Sequence, residues 1–251
     1  MEQENKIEKN RMIDLSREAS RGYYTHSHFL TLAEQSDLLL WQKEGALGRY
    51  ILDGGYEGAE RKLAIFGDSE EFGYLPAPPT VWLKIAPIAQ KFADTLTHRD
   101  LLGSLMALGI KRECLGDILL HENVGYLYVL DTVAAYLADT LTKVKHTDVA
   151  VTAVDTPPAV TLALPEESIH VVASERLDAF VAAVFRLSRS EASALCEKGL
   201  VAIDGRVTEK SAATVKEGAY VSVRGFGRFR FEKITGDTRK GKLRIAVRLF
   251  S

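Results

Sequence analysis

Residues 174–225 read SERLDAFVAAVFRLSRSEASALCEKGLVAIDGRVTEKSAATVKEGAYVSVRG. Leu177, Phe180, Val181, Val184 and Phe185 recur at the i, i+3, i+4, i+7, i+8 spacing, which predicts an amphipathic helix. Ser188 and Glu191 have the S-x-x-E spacing of a capping box, so a second helix starts there. Ala192, Leu195 and Cys196 form its inner face, and Gly199 ends it. Asp204-Gly205, flanked by apolar residues, predicts a hairpin turn. AYVSVRG then alternates as a strand, and FGRFRFEKI and KLRIAVRLF alternate after it with Arg and Lys on the polar face.

Two arginines stand at predicted helix starts, Arg176 and Arg189. A cation there opposes the positive end of the helix dipole and costs roughly 0.3–1 kcal/mol. The placement makes sense where both starts face phosphate and guanidinium and backbone N–H groups act together. The bland alternative pairs Arg176 with Asp178 or Glu175, and Arg189 with Glu191. Arg186, Ser190, Lys198 and Lys210 are further candidates in the same module. Arg224, Arg228 and Arg230 form a second basic row, in which Arg228 and Arg230 alternate with Phe229 and Phe231 and so share one strand face. Arginine interleaved with aromatic residues suits a nucleic-acid backbone with stacked bases. Phe226 is either a stacking residue or core.

Charge distribution agrees. Net charge is −2, yet residues 205–251 hold twelve Lys and Arg against four Asp and Glu, a local excess of +8 that leaves −10 on the rest. A basic C-terminal face implies an anionic partner.

Upstream, residues 80–86 (TVWLKIA) predict a strand and residues 98–109 a helix capped by Thr97. GDILLHE and GYLYVLD predict two strands joined at Glu122-Asn123, residues 131–142 a helix, and DVAVTAVD from 148 a last strand. The order β-α-β-β-α-β is the ferredoxin-like arrangement shared by RRM domains. Trp82 on its first strand, with Tyr126 and Tyr128 on its third, occupies the strands on which an RRM stacks bases, although the basic aromatic signature of a true RRM motif is absent. Before residue 75, residues 30–42 predict a helix, and RYILD and KLAIFGD predict strands. The prolines from Pro76 to Pro79 mark a linker. The fold class expected is α+β in three parts: a small α/β unit (1–75), an RRM-like ferredoxin-like domain (76–160) and a basic RNA-binding module with C-terminal strands (165–251).

Enzyme readings find little. His98-Arg99-Asp100 matches a kinase catalytic-loop triplet, but the expected Asn falls on Leu105, and Asp100 fits a capping box with Thr97. Arg176-Leu177-Asp178 matches the RLD of pseudouridine synthases, but Ala-Phe-Val follows, as in a helix interior. No G-x-G-x-x-G follows a strand. His26 and His28 lack a third ligand nearby, and Cys114 and Cys196 have no metal spacing. No catalytic residue, metal or small-molecule cofactor is therefore expected. The charged N-terminus MEQENKIEKNR is unlike a signal peptide, and no apolar run is long enough for a membrane span. A cytoplasmic, membrane-free protein is the expectation.

Residues 174–225 resemble the αL RNA-binding domain named for the fourth protein of the small ribosomal subunit. Arg176-Leu177-Asp178, Ser188-Arg189-Ser190, Lys198-Gly199, Asp204-Gly205 and Val221-Ser222-Val223 carry the likeness. Almost end to end, the chain resembles the YlmH-type bacterial RNA-binding proteins. That likeness rests on Phe29-Leu30 with Glu34-Gln35, GGYEGAERKLAIF (54–66), THRDLLGSLMALGIKRECLGDIL (97–119) and RGFGRFRFEKITGDTRKGKLRI (224–245). It departs at Leu63 and at Cys196. The resemblance implies ribosome-associated quality control, with ribosomal RNA of the large subunit and tRNA as partners. Arg189 is then the first residue expected at RNA, Arg176 the second, and His98 and Arg99 belong to a possible second site. Rival readings are an rRNA- or tRNA-modifying enzyme and a cell-division adaptor.

Overall fold

The computed structural model describes residues 2–250, which divide into two compact units, one up to Ala163 and one from Leu164 onward. The first unit begins with helix α1 (Glu2–Ala19), which the sequence reading did not anticipate. Half of its eighteen residues are charged, and among those whose burial is described only Met12, Ser16 and Ala19 are buried. Strand β1 (Thr25–His26), helix α2 (Leu32–Lys43), β2 (Tyr50–Asp53), β3 (Leu63–Phe66) and the single turn α3 (Ser69–Phe72) follow. Thr31 and Glu34 close a full capping box at the start of α2. The strands form a three-stranded antiparallel sheet in the order β1-β3-β2. Met12, Leu38, Trp41 and Phe66 fill the core between this sheet and the two long helices.

The rest of the unit runs β4 (Thr80–Pro87), α4 (His98–Ala107), β5 (Leu115–His121), β6 (Val124–Leu130), α5 (Asp131–Thr140), the short β7 (Lys143–Val144), β8 (Thr147–Val154) and α6 (Ala159–Leu162). Thr97 and Asp100 form the capping box of α4. Glu122 and Asn123 both take positive φ, as a two-residue hairpin of the primed type requires. The sheet is antiparallel in the order β5-β6-β4-β8-β7. Leu83, Ile85, Leu127 and Val129 point to one side, where Leu101, Leu105 and Leu137 of the helices cover them.

Trp82, Tyr126 and Tyr128 point to the other side. There they share a core with Phe29, Leu63 and Ile65 from the N-terminal segment. Polar contacts fasten the same junction. The Asp117 carboxylate accepts from Tyr56 Oη at 2.9 Å and from the backbone N–H groups of Glu60 and Arg61 at 2.7 and 3.1 Å. Arg61 donates to the carbonyls of Phe29 and Leu115. The Tyr128 hydroxyl donates to Asp53 at 2.8 Å, and burial raises its pKa. The GGYEGAER segment is thus a clasp.

At Gly55 the clasp meets the rings with no room to spare. Its φ is +80°, and an added Cβ would sit 2.9 Å from Tyr128 Cζ and 3.0 Å from Trp82. Gly55→Ala should cost about 1–2 kcal/mol through backbone strain and overpacking. Both tryptophans, Trp41 and Trp82, lie in this unit, so urea unfolding followed by tryptophan fluorescence reads the loss directly. An unchanged midpoint would mean that the loop moves off the rings at no cost.

The second unit contains β9 (Glu167–Val172), α7 (Leu177–Phe185), α8 (Arg189–Glu197), β10 (Val201–Ile203), β11 (Arg206–Val207), β12 (Tyr220–Val223), β13 (Gly227–Asp237) and β14 (Leu243–Phe250). Its strands form a six-stranded sheet in the order β11-β10-β12-β13-β14-β9. Helix α7 is apolar almost all round and is correspondingly buried. Phe180 stacks on Phe229 and meets Phe231 edge-on at 4.8 Å, so α7 covers the face of β13 that carries these two rings. Cys196 is fully buried in this core and packs as a small apolar residue. Strand β9 went unread in the sequence. Among the described residues it is an edge strand that pairs only with β14, and its exposed Ile169 and Val171 blur the alternation.

Candidate nucleic-acid interface

Arg176 is the residue that caps the start of α7, and Arg189 is the first residue of α8. The fold brings the two side chains together on one acid. Arg176 donates from Nε and Nη2 to the two oxygens of Asp178 at 3.2 and 2.8 Å. Arg189 donates from Nη2 to Asp178 Oδ1 at 2.6 Å. The Asp178 side chain is only 6% exposed, whereas those of Arg176 and Arg189 are 45% and 49% exposed. Burial alone would raise the Asp178 pKa. The hydrogen bonds and charges of Arg176 and Arg189 outweigh it and hold the carboxyl below its ordinary value. The acid also stands in the first turn of α7, where the helix dipole favours it.

The bland expectation for Arg176 is therefore what the structure contains, a pair with Asp178. For Arg189 the partner differs. Glu191 is engaged in the capping box with Ser188, and Arg189 turns to Asp178 instead. Two cations on one buried carboxylate leave a net positive charge with fixed geometry, and the outer edges of both guanidiniums face solvent.

The expected help from backbone N–H groups at the start of α7 is corrected. Leu177 and Asp178 donate theirs to the carbonyls of Ala213 and Ser211, so these donors are spent inside the protein. Those bonds lay the segment after Lys210 against the start of α7, which carries exposed Lys210 to the neighbourhood of the arginine pair. Ser190 lies beside the capping residue, with its hydroxyl 2.9 Å from that of Ser188. Arg186 ends α7 in a left-handed conformation and is exposed. Lys198 caps the far end of α8, and Arg224 follows β12 with its N–H on the Leu200 carbonyl.

A single phosphate cradle uniting all the arginines is not what the structure contains. Phe229 and Phe231 face α7, so the alternating Arg228 and Arg230 point to the opposite side of the sheet. There the Arg228 guanidinium lies 5.2 Å from the ring centre of Tyr220 and 4.9 Å from that of Phe250. Arg230 is 5.8 Å from Tyr220. Phe226 contacts Phe185 at 5.8 Å yet stays exposed.

The stacking platform expected of the first unit is also corrected. Trp82, Tyr126 and Tyr128 are buried under Phe29, Leu63 and Ile65, and Trp82 and Tyr128 pack on each other at 4.7 Å. A base cannot reach them without displacing that segment. His98 and Arg99 are exposed at the start of α4, and partial burial and the charge of Arg112 lower the His98 pKa. Among the described residues, no group of His, Cys, Asp and Glu is arranged to hold a metal ion.

Sequence reasoning missed Asp178 as the common anchor, because it considered each arginine with its own neighbour in sequence. The contact between Arg189 and Asp178 spans eleven residues and exists only once two helices pack. It also missed Tyr220 and Phe250, which become neighbours of Arg228 through strand pairing.

Residues 82–157 match the family model described as "Putative RNA-binding domain in YlmH", and residues 175–221 match the S4 domain. The chain is 35% identical over 199 residues to the Ribosome-associated protein quality control protein P2 of Bacillus subtilis (strain 168), an alignment covering 76% of this chain and 74% of that one. A solved structure of the cell division protein ylmH from Streptococcus pneumoniae aligns with a TM-score of 0.48 and 19% identity, covering 64% of this chain and 95% of that one. No helix among the described residues is long and apolar enough to cross a membrane.

Proposed function

The chain belongs to the YlmH family of RNA-binding proteins, and from that premise we propose that it acts without catalysis on the large ribosomal subunit carrying peptidyl-tRNA, in ribosome-associated quality control. The observation that carries this reading is the pair of half-exposed guanidiniums fixed on Asp178 inside the S4 match. An arginine whose fork is already oriented loses little freedom when it meets a phosphate, and the pair presents a net positive charge to it. Ribosomal RNA lies against Arg176, Arg189, Ser190 and Lys210, with Arg186, Lys198 and Arg224 reaching flanking phosphates. The RRM-like stretch of the first unit, residues 76–160, contributes shape and contacts tRNA through surface residues such as His98 and Arg99. The family relationship and the relative's name support a cytoplasmic, ribosome-associated site of action.

Arg189→Ala tests it. Asp178 keeps its two bonds from Arg176, so the unit stays folded. Affinity for purified large subunits should fall about tenfold, and the slope of log K against log salt should shrink by about one. Co-sedimentation across a salt series reads both. Undiminished co-sedimentation of the folded variant would remove Arg189 from the interface and the reading with it.

A further inference from the structure

We propose that the face of the second unit's sheet turned away from α7 and α8 is a separate RNA-contacting surface, which takes unstacked bases of a second RNA segment while the helix starts hold the first. The inference rests on the RNA-binding reading above and adds a second, simultaneous contact.

Strand geometry separates the surfaces. Ile245 and Val247 of β14 belong to the core under the helices, as do Phe229 and Phe231 of β13. The intervening Arg228, Arg230, Arg248 and Phe250 must then face the other way. Register places them side by side: Arg228 opposite Phe250, Arg230 opposite Arg248, Tyr220 opposite Arg230. No single stretch of RNA backbone lying on the helix starts can also lie on this row, because the sheet stands between them.

The chemistry of the row differs from that of the helix starts. The Arg228 guanidinium lies beside a pair of aromatic rings, Tyr220 and Phe250, at 5.2 and 4.9 Å from their centres, the two rings being 5.8 Å apart and tilted by 50°. This cluster of planar groups offers surfaces to a base, which stacks on guanidinium planes as well as on aromatic rings. Beside it Ser222 pairs with Arg228 in register, and Ala202 with Ser222, so the neighbouring floor consists of small side chains.

Charge favours a polyanion. Glu232 is shared by two cations, Arg230 at 3.7 Å and Arg248 at 3.4 Å, and its inward oxygen has no hydrogen-bond partner among the described residues. Arg248 has Glu167 as well, at 2.6 Å. Arg244 adds further positive charge to the same face, so that Arg230, Arg244 and Arg248 stand there against two carboxylates, Glu167 and Glu232.

The test uses the full chain and two probes. A biotinylated RNA hairpin on beads captures the protein while the hairpin is in excess, and a fluorescein-labelled single-stranded oligouridine is then added. The wild type should retain the oligouridine on the beads. Arg228→Ala with Arg230→Ala should bind the hairpin within about threefold of wild type and retain about tenfold less oligouridine. Arg228→Lys with Arg230→Lys keeps the charge and removes the planar guanidiniums, and should lose most of the oligouridine as well. If each RNA displaces the other from the wild type, the second surface is refuted while the single-site reading stands. If the wild type retains neither RNA, both readings fall. The wild-type competition decides the matter even where a variant unfolds.

Discussion

Asp178→Ala should destabilise the second unit by about 2–3 kcal/mol and weaken its RNA binding, although the substitution makes the site more positive. The carboxylate is buried between two guanidiniums and makes three hydrogen bonds to them. Without it, two like charges face each other across a small cavity. Breaking a buried ion pair costs about 3–5 kcal/mol, and the half-exposed guanidiniums reduce that here because water screens them. The pH dependence has a definite sign. The folded-state pKa of Asp178 is depressed, so its stabilisation is complete above the unfolded value near about 3.9 and is lost as pH falls through the folded value. The gap between wild type and variant should be constant at neutral pH and close only in strong acid. Amide hydrogen exchange in α7 and β13 reads the stability, since this unit holds no tryptophan. Filter binding at matched salt reads the affinity. Tighter RNA binding by the folded variant would show that Asp178 only dampens the charge and does not aim it.

The second large effect belongs to Trp82→Ala, expected to cost the first unit about 3–5 kcal/mol. Trp82 is 5% exposed and packs against Tyr128, Tyr56 and the Gly55 backbone. Urea unfolding followed by Trp41 fluorescence would register the loss. A base-stacking role makes a different forecast, a loss of about 1–3 kcal/mol of RNA affinity per stacked base. The buried position gives an affinity unchanged within about twofold at temperatures where the variant is folded. A folded Trp82→Ala protein with clearly weakened RNA binding would mean that the N-terminal segment lifts off this ring in the complex.

These two residues also show what was legible in sequence. Local signals came through well. The Ser188–Glu191 and Thr97–Asp100 capping boxes, the Glu122-Asn123 turn and the Asp204-Gly205 turn depend on residues a few positions apart, and the structure contains each of them. The apolar spacing of Leu177, Phe180 and Val181 correctly gave a helix and buried residues within it, but α7 is buried almost all round rather than on one stripe, since Ala179 and Ala182 are covered too. What failed was long-range. Trp82 was correctly read on one strand and Tyr126 and Tyr128 on another, but nothing nearby in sequence indicates that Phe29 and Leu63 cover all three rings. Arg228 and Arg230 were correctly assigned to one face of one strand. Which face the helices would take followed only from the contact of Phe180 with Phe231. Helix α1 was hidden by its charge, because Met12 and Ala19 are too sparse a stripe to outweigh the acidic and basic residues around them.

The aromatic core behind Gly55 also bears on how the chain is made. It joins Phe29 and Leu63 to Tyr126 and Tyr128, with Leu162 of α6 packed against it. A nascent chain that has emerged only as far as β3 has its own small sheet but lacks the rings that close its outer side. Closure waits until the ribosome has delivered β6, some sixty residues later in the sequence. During that interval Phe29 and Ile65 stay open to solvent, which makes this stretch of synthesis the natural moment for chaperone capture.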